Sequence, residues 1–446
     1  MTTLATSGPL PAAATPTPPL APAAAPRADA AARAWRERAP FLPALVTVAV
    51  FLPEALGFVV FGFRLTPGRL VLLALAPVMV LSFAHLIGSH RYRFVLSDLF
   101  MPAALAWMII ALATTGDIDV ALKSGGAAGL DLVGPYLLMR GLLSTRGQIH
   151  GVVRLFCIVA AIAGPLGLAD TLAGSYIVHD ALGKLTGYAY FHPLLVNSVD
   201  LHRLGLFRAE GIFPHPILFG IVMCYALMLT EDVRGAARPL CRIGTGIGLF
   251  LSLSSAPWMG LILGLALLAY LRLAPFPHRW LVLLTVAALV SGAVFIFVPN
   301  PFSFIFRHFT LQPETAWYRL LIWQYAGFDV MKSPVIGIGV TQAWFRPGWM
   351  GASVDSLWLG TAMAYGIPGA LLTGFALLGA SSLPVVRRPA NAARIDAREV
   401  RLSDALGIIT FLTIFLGLTV DYWGSSVMIV GLLAGARASL GQIAAA

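Results

Sequence analysis

The chain has 446 residues, of which 58% are hydrophobic and only 11% charged, with a mean hydropathy of +0.84 and a formal net charge of +10. These values lie far outside those of soluble domains and indicate an all-α polytopic membrane protein. The positive charge fits a topology signal better than a nucleic-acid footprint, because Lys and Arg of short loops collect on the cytoplasmic side of a membrane.

Residues 1–40 are rich in Ala and Pro and nearly uncharged until Arg27, which predicts a disordered cytoplasmic tail with polyproline II tendency. The tail lacks the basic start and apolar core of a cleavable signal peptide, so the first span is expected to be the insertion signal. A single transmembrane domain is expected over 41–440. Runs long enough to cross the hydrocarbon core lie near 41–62, 70–88, 94–115, 128–146, 150–173, 212–230, 279–299, 357–381, 403–421 and 423–440. Between Arg242 and Arg272, GTGIGLFLSLSSAPWMGLILGLALLAYL is long for one span and short for two, and is expected to be broken in the middle by Pro257. Parity favours two crossings. A single crossing would put the arginine-rich 384–402 loop outside, whereas two gather Arg27, Arg33, Arg36, Arg38, Arg91, Arg93, Arg140, Arg146, Arg154, Arg234, Arg238, Arg242, Arg272, Arg279, Arg387, Arg388, Arg394, Arg398, Arg401 and Arg437 inside. The expected architecture is about 12 transmembrane helices with both termini cytoplasmic and one long periplasmic loop between spans 9 and 10.

Two outer segments then stand out by length, 174–211 and 300–356. Both mix aromatic and apolar residues with Arg, His and Asp, which suits short interfacial helices roofing a site. Within the first, RLGLFRAEGIFPHP places Arg203, Arg208, Glu210 and His215 at the mouth of an apolar run, where ionisable groups are costly and tend to be functional. The second contains PVIGIGV, whose glycines allow a tight turn. Cys157, Cys224 and Cys241 are no disulfide framework. No CxxC, HExxH or phosphate-cradling glycine loop is present, so neither a metal nor a cofactor is expected, nor a nucleotide-driven pump.

The order of Arg208, Gly211, Phe213, His215 and Pro216 opening a span, the SLSSAPWMG turn, WYRLLIWQYAGFDVMKSPVIGIG in a long outer loop, and a polar pair before SLWLGTAMAYGIPG resembles the O-antigen ligase and O-antigen polymerase superfamily. The resemblance covers roughly the second half of the chain. It implies an inverting, metal-independent glycosyltransferase of the bacterial inner membrane. Such an enzyme takes an oligosaccharide from undecaprenyl diphosphate on the periplasmic face and joins it to an acceptor glycan. Two departures are visible: many relatives carry Ser-Arg where this chain has Ser255-Ala256-Pro257, and ligase-like relatives often carry His-Asn where it has Asp355-Ser356.

The chemistry can also be argued from the residues. A sugar hydroxyl attacks C1 while a diphosphate departs, so the site must neutralise growing negative charge. Arginine does so with paired bonds and a permanent charge. Arg208 and Arg319, on the two outer segments, are assigned to the diphosphate, and Asp355 is the candidate base, with His215 and Glu210 behind it. The bland readings are specific too. Arg203 would be an interfacial anchor, Arg319 the polar face of an amphipathic helix, His215 a helix-entry residue and Asp355 a helix cap. Trp317, Trp323, Trp344, Trp349 and Trp358 would form an aromatic belt. Glu54, Asp170 and Asp421 would pair with polar neighbours. The function this favours is a polymerase for exopolysaccharide or O-antigen; a ligase to lipid A core shares the chemistry but expects the His-Asn pair. A transporter or flippase for a lipid-linked or small solute is the alternative of another class, and it would show two repeated halves, which the sequence lacks. Partners beyond the lipid-linked donor, the acceptor glycan and the bilayer would be other polysaccharide-assembly membrane proteins, with no nucleic acid.

Overall fold

The computed structural model describes residues 41–116, 118–187, 201–274, 278–301, 304, 313–385 and 396–445. The expected tail over 1–40 lies outside the described residues, as do Arg387, Arg388 and Arg394. Among the described residues the secondary structure is helical apart from two short hairpins. Six helices are long and apolar enough to cross a bilayer, and one further pair passes the same test together while bent by 55°.

The first expected span, 41–62, is corrected. Helix α1 (Phe41–Ala49) stops before Pro53, which cannot donate to the Ala49 carbonyl. A 3-10 turn at Glu54–Leu56 and a hairpin of β1 (Phe58–Val60) and β2 (Phe63–Leu65) follow. The second span is the bent pair α2 (Pro67–Ala74) and α3 (Ala76–Ile87), with Pro77 at the bend. Helix α4 (Leu96–Thr115) returns, and α5 (Ile118–Ala128) continues through a π-helical turn at Gly129–Val133 into α6 (Gly134–Leu142). Helix α7 (Arg146–Ala173) ends on Gly174 in the left-handed conformation and leads to the short α8 (Ile177–Thr186).

The 242–272 stretch is two helices. Helix α9 (Pro216–Leu229) is flanked by α10 (Ala237–Leu251) and by α11 (Ser255–Leu273). Gly248 of α10 lies against Phe219 and Met223, while Gly260 and Gly264 of α11 lie against Cys224 and Met228. The two therefore run in opposite directions along α9. The interruption is at Ser252–Ser254 rather than Pro257, which sits in the first turn of α11 where a missing amide costs nothing. Gly164 of α7 packs on the Gly244 backbone, the close approach that small residues permit between membrane helices.

Helix α12 (Arg279–Phe297) buries no residue within the described protein. Helix α13 (Pro313–Lys332) packs on α14 (Leu357–Gly379) through Ile322, Ala326, Val330, Leu359, Ala362 and Met363. Helices α15 (Ala397–Leu416) and α16 (Ser425–Ala445) complete the chain. Of the expected tryptophan belt, Trp317 and Trp349 are exposed. Trp323, Trp344 and Trp358 donate their indole N–H groups to the carbonyls of Leu418, Ala352 and Ile414, and of the three only Trp344 is buried.

The expected inner arginines gather at one end of these helices. Arg140 meets Asp98 at 3.0 Å, Arg146 meets Glu399 at 2.9 Å, Arg398 meets Asp232 at 2.8 Å and Arg279 meets Asp404 at 2.8 Å. At the other end lie Arg64, Arg69, Asp170, His179, Arg208, Arg319 and Asp355.

Helix α14 is broken. Gly366 has φ 76° and ψ 171°, and Pro368 removes an amide from the helical ladder. The turn predicted from PVIGIGV fills the break: Ile338 N–H donates to Met363 O at 2.7 Å, and Ile367 N–H donates to Pro334 O at 2.8 Å. Gly337, at φ 79°, faces the same backbone, and Trp107 Nε1 donates to Tyr365 O at 2.8 Å. A Cβ on Gly366 would overlap the Val335 carbonyl, whereas one on Gly360 meets nothing within 4 Å. Gly366→Ala is therefore expected to cost at least roughly 1–3 kcal/mol, read as a lowered thermal midpoint in detergent, with Gly360→Ala close to wild type. Equal midpoints for both variants would remove the docking role of the turn.

Candidate functional site

The site forms around the turn that joins α10 to α11. Leu253 holds φ 44°, a left-handed conformation that a leucine keeps only where its surroundings over-determine it. A hairpin of β3 (His202–Arg203) and β4 (Leu206–Phe207) turns through Leu204 and Gly205, both at positive φ, and lies beside this turn. Ala209 N–H donates to Leu251 O at 3.0 Å. As a result Arg208 Nη2 donates to Ser254 Oγ at 2.8 Å and Arg203 Nη1 donates to Leu253 O at 3.2 Å. Ser254 Oγ–H in turn donates to Ser252 O at 2.9 Å.

Arg319 approaches from α13 and is only 5% exposed. Burial lowers its pKa, the Asp355 carboxylate beside it works in the opposite direction, and the Arg203 charge adds to the lowering. Among the described residues its Nε has no hydrogen-bond partner. A buried guanidinium left in this state is costly, and an incoming anion would relieve that cost.

Asp355 does not cap the following helix. That task falls to Ser356, whose Oγ accepts from Leu359 N–H at 3.3 Å and donates to Gly417 O at 3.0 Å. Asp421 lies in the loop between α15 and α16. Burial pushes its carboxyl up to about 7 against the bond from Tyr422 N–H, and Asp355 adds to the rise. Two interacting carboxyls and Arg319 thus share one end of α14.

The other two candidates lie elsewhere. His215 is the N-cap of α9: its Nδ1 accepts from Ile217 N–H at 3.1 Å, and its ring meets Trp423 edge-on at 5.7 Å. Glu210 is fully buried, with Oε1 at 3.1 Å from His179 Nδ1. Its backbone is fixed by Asp170, which accepts from the amides of Gly211 at 2.8 Å, Glu210 at 3.3 Å and Ile177 at 3.1 Å. Burial raises Glu210 well above the carboxylate range, with Asp170 and Asp180 adding and Arg208 opposing. Burial also pushes His179 down to about 4, with Arg64 adding. His179 is therefore neutral near neutral pH.

The structure therefore brings Arg208, Arg319 and Asp355 to one end of the helices, places Glu210 in a buried layer behind Arg208, and leaves His215 at a cap. Sequence reasoning missed Ser254 and read Arg203 as an anchor and Asp421 as a group paired with polar neighbours rather than as neighbours of Arg319 and Asp355. The Leu204-Gly205 pair between two short β-prone stretches was the available signal for Arg203, since a hairpin there sets Arg203 and Arg208 on the same face.

Residues 242–374 match the family model Wzy_C, described as O-antigen ligase. The match takes in the Ser252–Ser254 turn, Arg319, Asp355 and the break at Gly366, and supports the O-antigen ligase superfamily. No curated protein matches the chain.

The buried acid gives a pH prediction. Because the folded-state pKa of Glu210 is raised, its contribution to stability is complete below about 4.5 and lost as pH rises through the folded value. The depressed His179 acts oppositely, contributing above about 6.5 and losing that as pH falls toward 4. Glu210→Gln keeps the neutral shape, so its thermal midpoint relative to wild type should rise with pH from about 4.5 upward. A difference constant across that range would remove the protonated state of Glu210.

Proposed function

We propose that this chain, whose residues 242–374 match the O-antigen ligase family, is a membrane-embedded glycosyltransferase. It transfers an oligosaccharide from undecaprenyl diphosphate to an acceptor glycan, as a polymerase of exopolysaccharide or O-antigen. The observation that carries this reading is the buried Arg319, its Nε unpaired among the described residues, beside Asp355 and within electrostatic reach of Arg203. Cations that converge around a strained turn at a helix end are suited to a diphosphate.

In the proposed reaction the acceptor hydroxyl attacks C1 of the donor sugar, the C1–O bond to the diphosphate breaks, and the hydroxyl proton passes to Asp355. Attack opposite the leaving group inverts the anomeric centre. Arg208 and Arg319 stabilise the departing charge by preorganised bonds. Two features support twelve passes with this site on the periplasmic face of the inner membrane. Successive helices reverse direction along the bundle, and the basic loops collect at the end away from Asp355.

The polymerase reading is preferred to ligation onto lipid A core because Asp355-Ser356 stands where ligase-like relatives carry His-Asn. A transporter would use a broken span to line a midplane cavity. Here the break at Gly366 is filled by the backbone of 334–338, which favours a fixed scaffold.

Purified protein given undecaprenyl diphosphate oligosaccharide should lengthen glycan and release undecaprenyl diphosphate with EDTA present. Strict divalent-ion dependence would overturn the arginine mechanism, and product found only on lipid A core would make it a ligase. Arg208→Lys and Arg319→Lys keep charge but lose the fork, and each is expected to lower turnover about ten- to hundredfold. Asp355→Asn should slow transfer while donor binding persists; unchanged transfer would remove it as the base.

A further inference from the structure

At the end opposite the proposed site, α9, α11 and α15 leave a narrow cleft open to the surface. Its apolar wall is Met228, Leu268, Leu271 and Ala405, and its polar rim carries Arg272 and Arg401 beside Glu231 and Asp404. The carboxylates of this region are already matched. Asp404 accepts two bonds from Arg279 Nη2 at 2.9 and 2.8 Å. Glu231 pairs with Arg242, with Arg238 at 4.0 Å. Asp232, in the adjoining hollow, is held by Arg398 at 2.8 Å and His150 at 2.7 Å. Arg272 and Arg401, both exposed, make no ion pair among the described residues. Neither adjoining stretch, 275–277 or 386–395, contains an acidic residue that could reach them.

We propose that this cleft binds an anionic glycerophospholipid, its phosphate bridging Arg272 and Arg401 and an acyl chain lying along the Met228–Leu268–Leu271 wall. Two uncompensated guanidiniums at the mouth of a groove between membrane helices match a phosphodiester. The apolar wall directly behind them gives a lipid an advantage over free phosphate, through apolar area removed from water. Under the topology proposed above, the site faces the cytoplasmic leaflet.

The full-length protein, delipidated in detergent, would be titrated with phosphatidylglycerol and, separately, phosphatidylcholine, and bound lipid counted by native mass spectrometry. The wild type should retain phosphatidylglycerol preferentially, and its thermal midpoint should rise with that lipid alone. At about fivefold per arginine, Arg272→Gln with Arg401→Gln should weaken retention roughly thirtyfold. Both side chains are exposed, so the midpoint in phosphatidylcholine should stay at the wild-type value. Arg234→Gln, at the same end but outside the cleft, should bind like wild type. Equal retention of the two lipids by the wild type overturns the proposal, as does full retention by the double variant. Loss in Arg234→Gln as large as in the double variant would show general surface charge instead. Displacement by inorganic phosphate as effective as by phosphatidylglycerol would show an anion site without lipid.

Discussion

A backbone polar group at membrane depth must find its partner inside the protein, because hydrocarbon offers none. Helix α14 breaks this rule at Gly366 and recovers it by borrowing the backbone of residues 334–338. Much of the outer architecture depends on that exchange. The borrowed turn follows directly on α13, so the two bonds that close the break also fix the end of the helix carrying Arg319. The start of α14, where Asp355 sits, is fixed in turn by Ser356 against Gly417 and by Leu357 N–H on Val420 O. The guanidinium and the carboxylate are thus held in register by main-chain bonds, with Ile322, Ala326 and Met363 packed beneath them.

Charge is handled differently at the two ends. At the basic end, arginines meet carboxylates: Arg140 with Asp98, Arg398 with Asp232, Arg279 with Asp404. Asp98 is further held by Tyr136, and Arg140 by Gln442 and the Arg93 carbonyl, a satisfied network that locks three helices and the loop before α4. At the site end, Arg208 donates to a serine hydroxyl and Arg203 to a main-chain carbonyl, while the Arg319 Nε donates to nothing described. Carboxylate pairs stabilise an architecture. The bonds of Arg208 and Arg203 instead tie the hairpin to the turn between α10 and α11.

Behind the first arginine layer, burial sets protonation. Glu210 packs against His179 with its carboxyl pKa raised by burial and its backbone pinned by Asp170, so it supports the loop that carries Arg208. Asp355 and Asp421 share the outer end of α14, where like charges disfavour ionising both.

The sequence by itself determined the class of protein, the segregation of basic residues, the presence of two helices in 242–272 and the segments that carry the candidate site residues, because these follow from hydropathy, charge and segment length. It also placed Arg208, Arg319 and Asp355 on those segments through the family resemblance. Only the tertiary structure decided that α1 stops before Pro53, that the helix break falls at Ser252–Ser254, and that Ser356 rather than Asp355 caps α14. It alone joined PVIGIG to the interrupted helix and brought Arg203 and Asp421 to the site, from positions about 220 residues apart. Periodicity and loop charge report what each segment needs from a membrane. Which polar groups of distant segments satisfy one another is set by packing between helices, and a linear pattern does not carry that information.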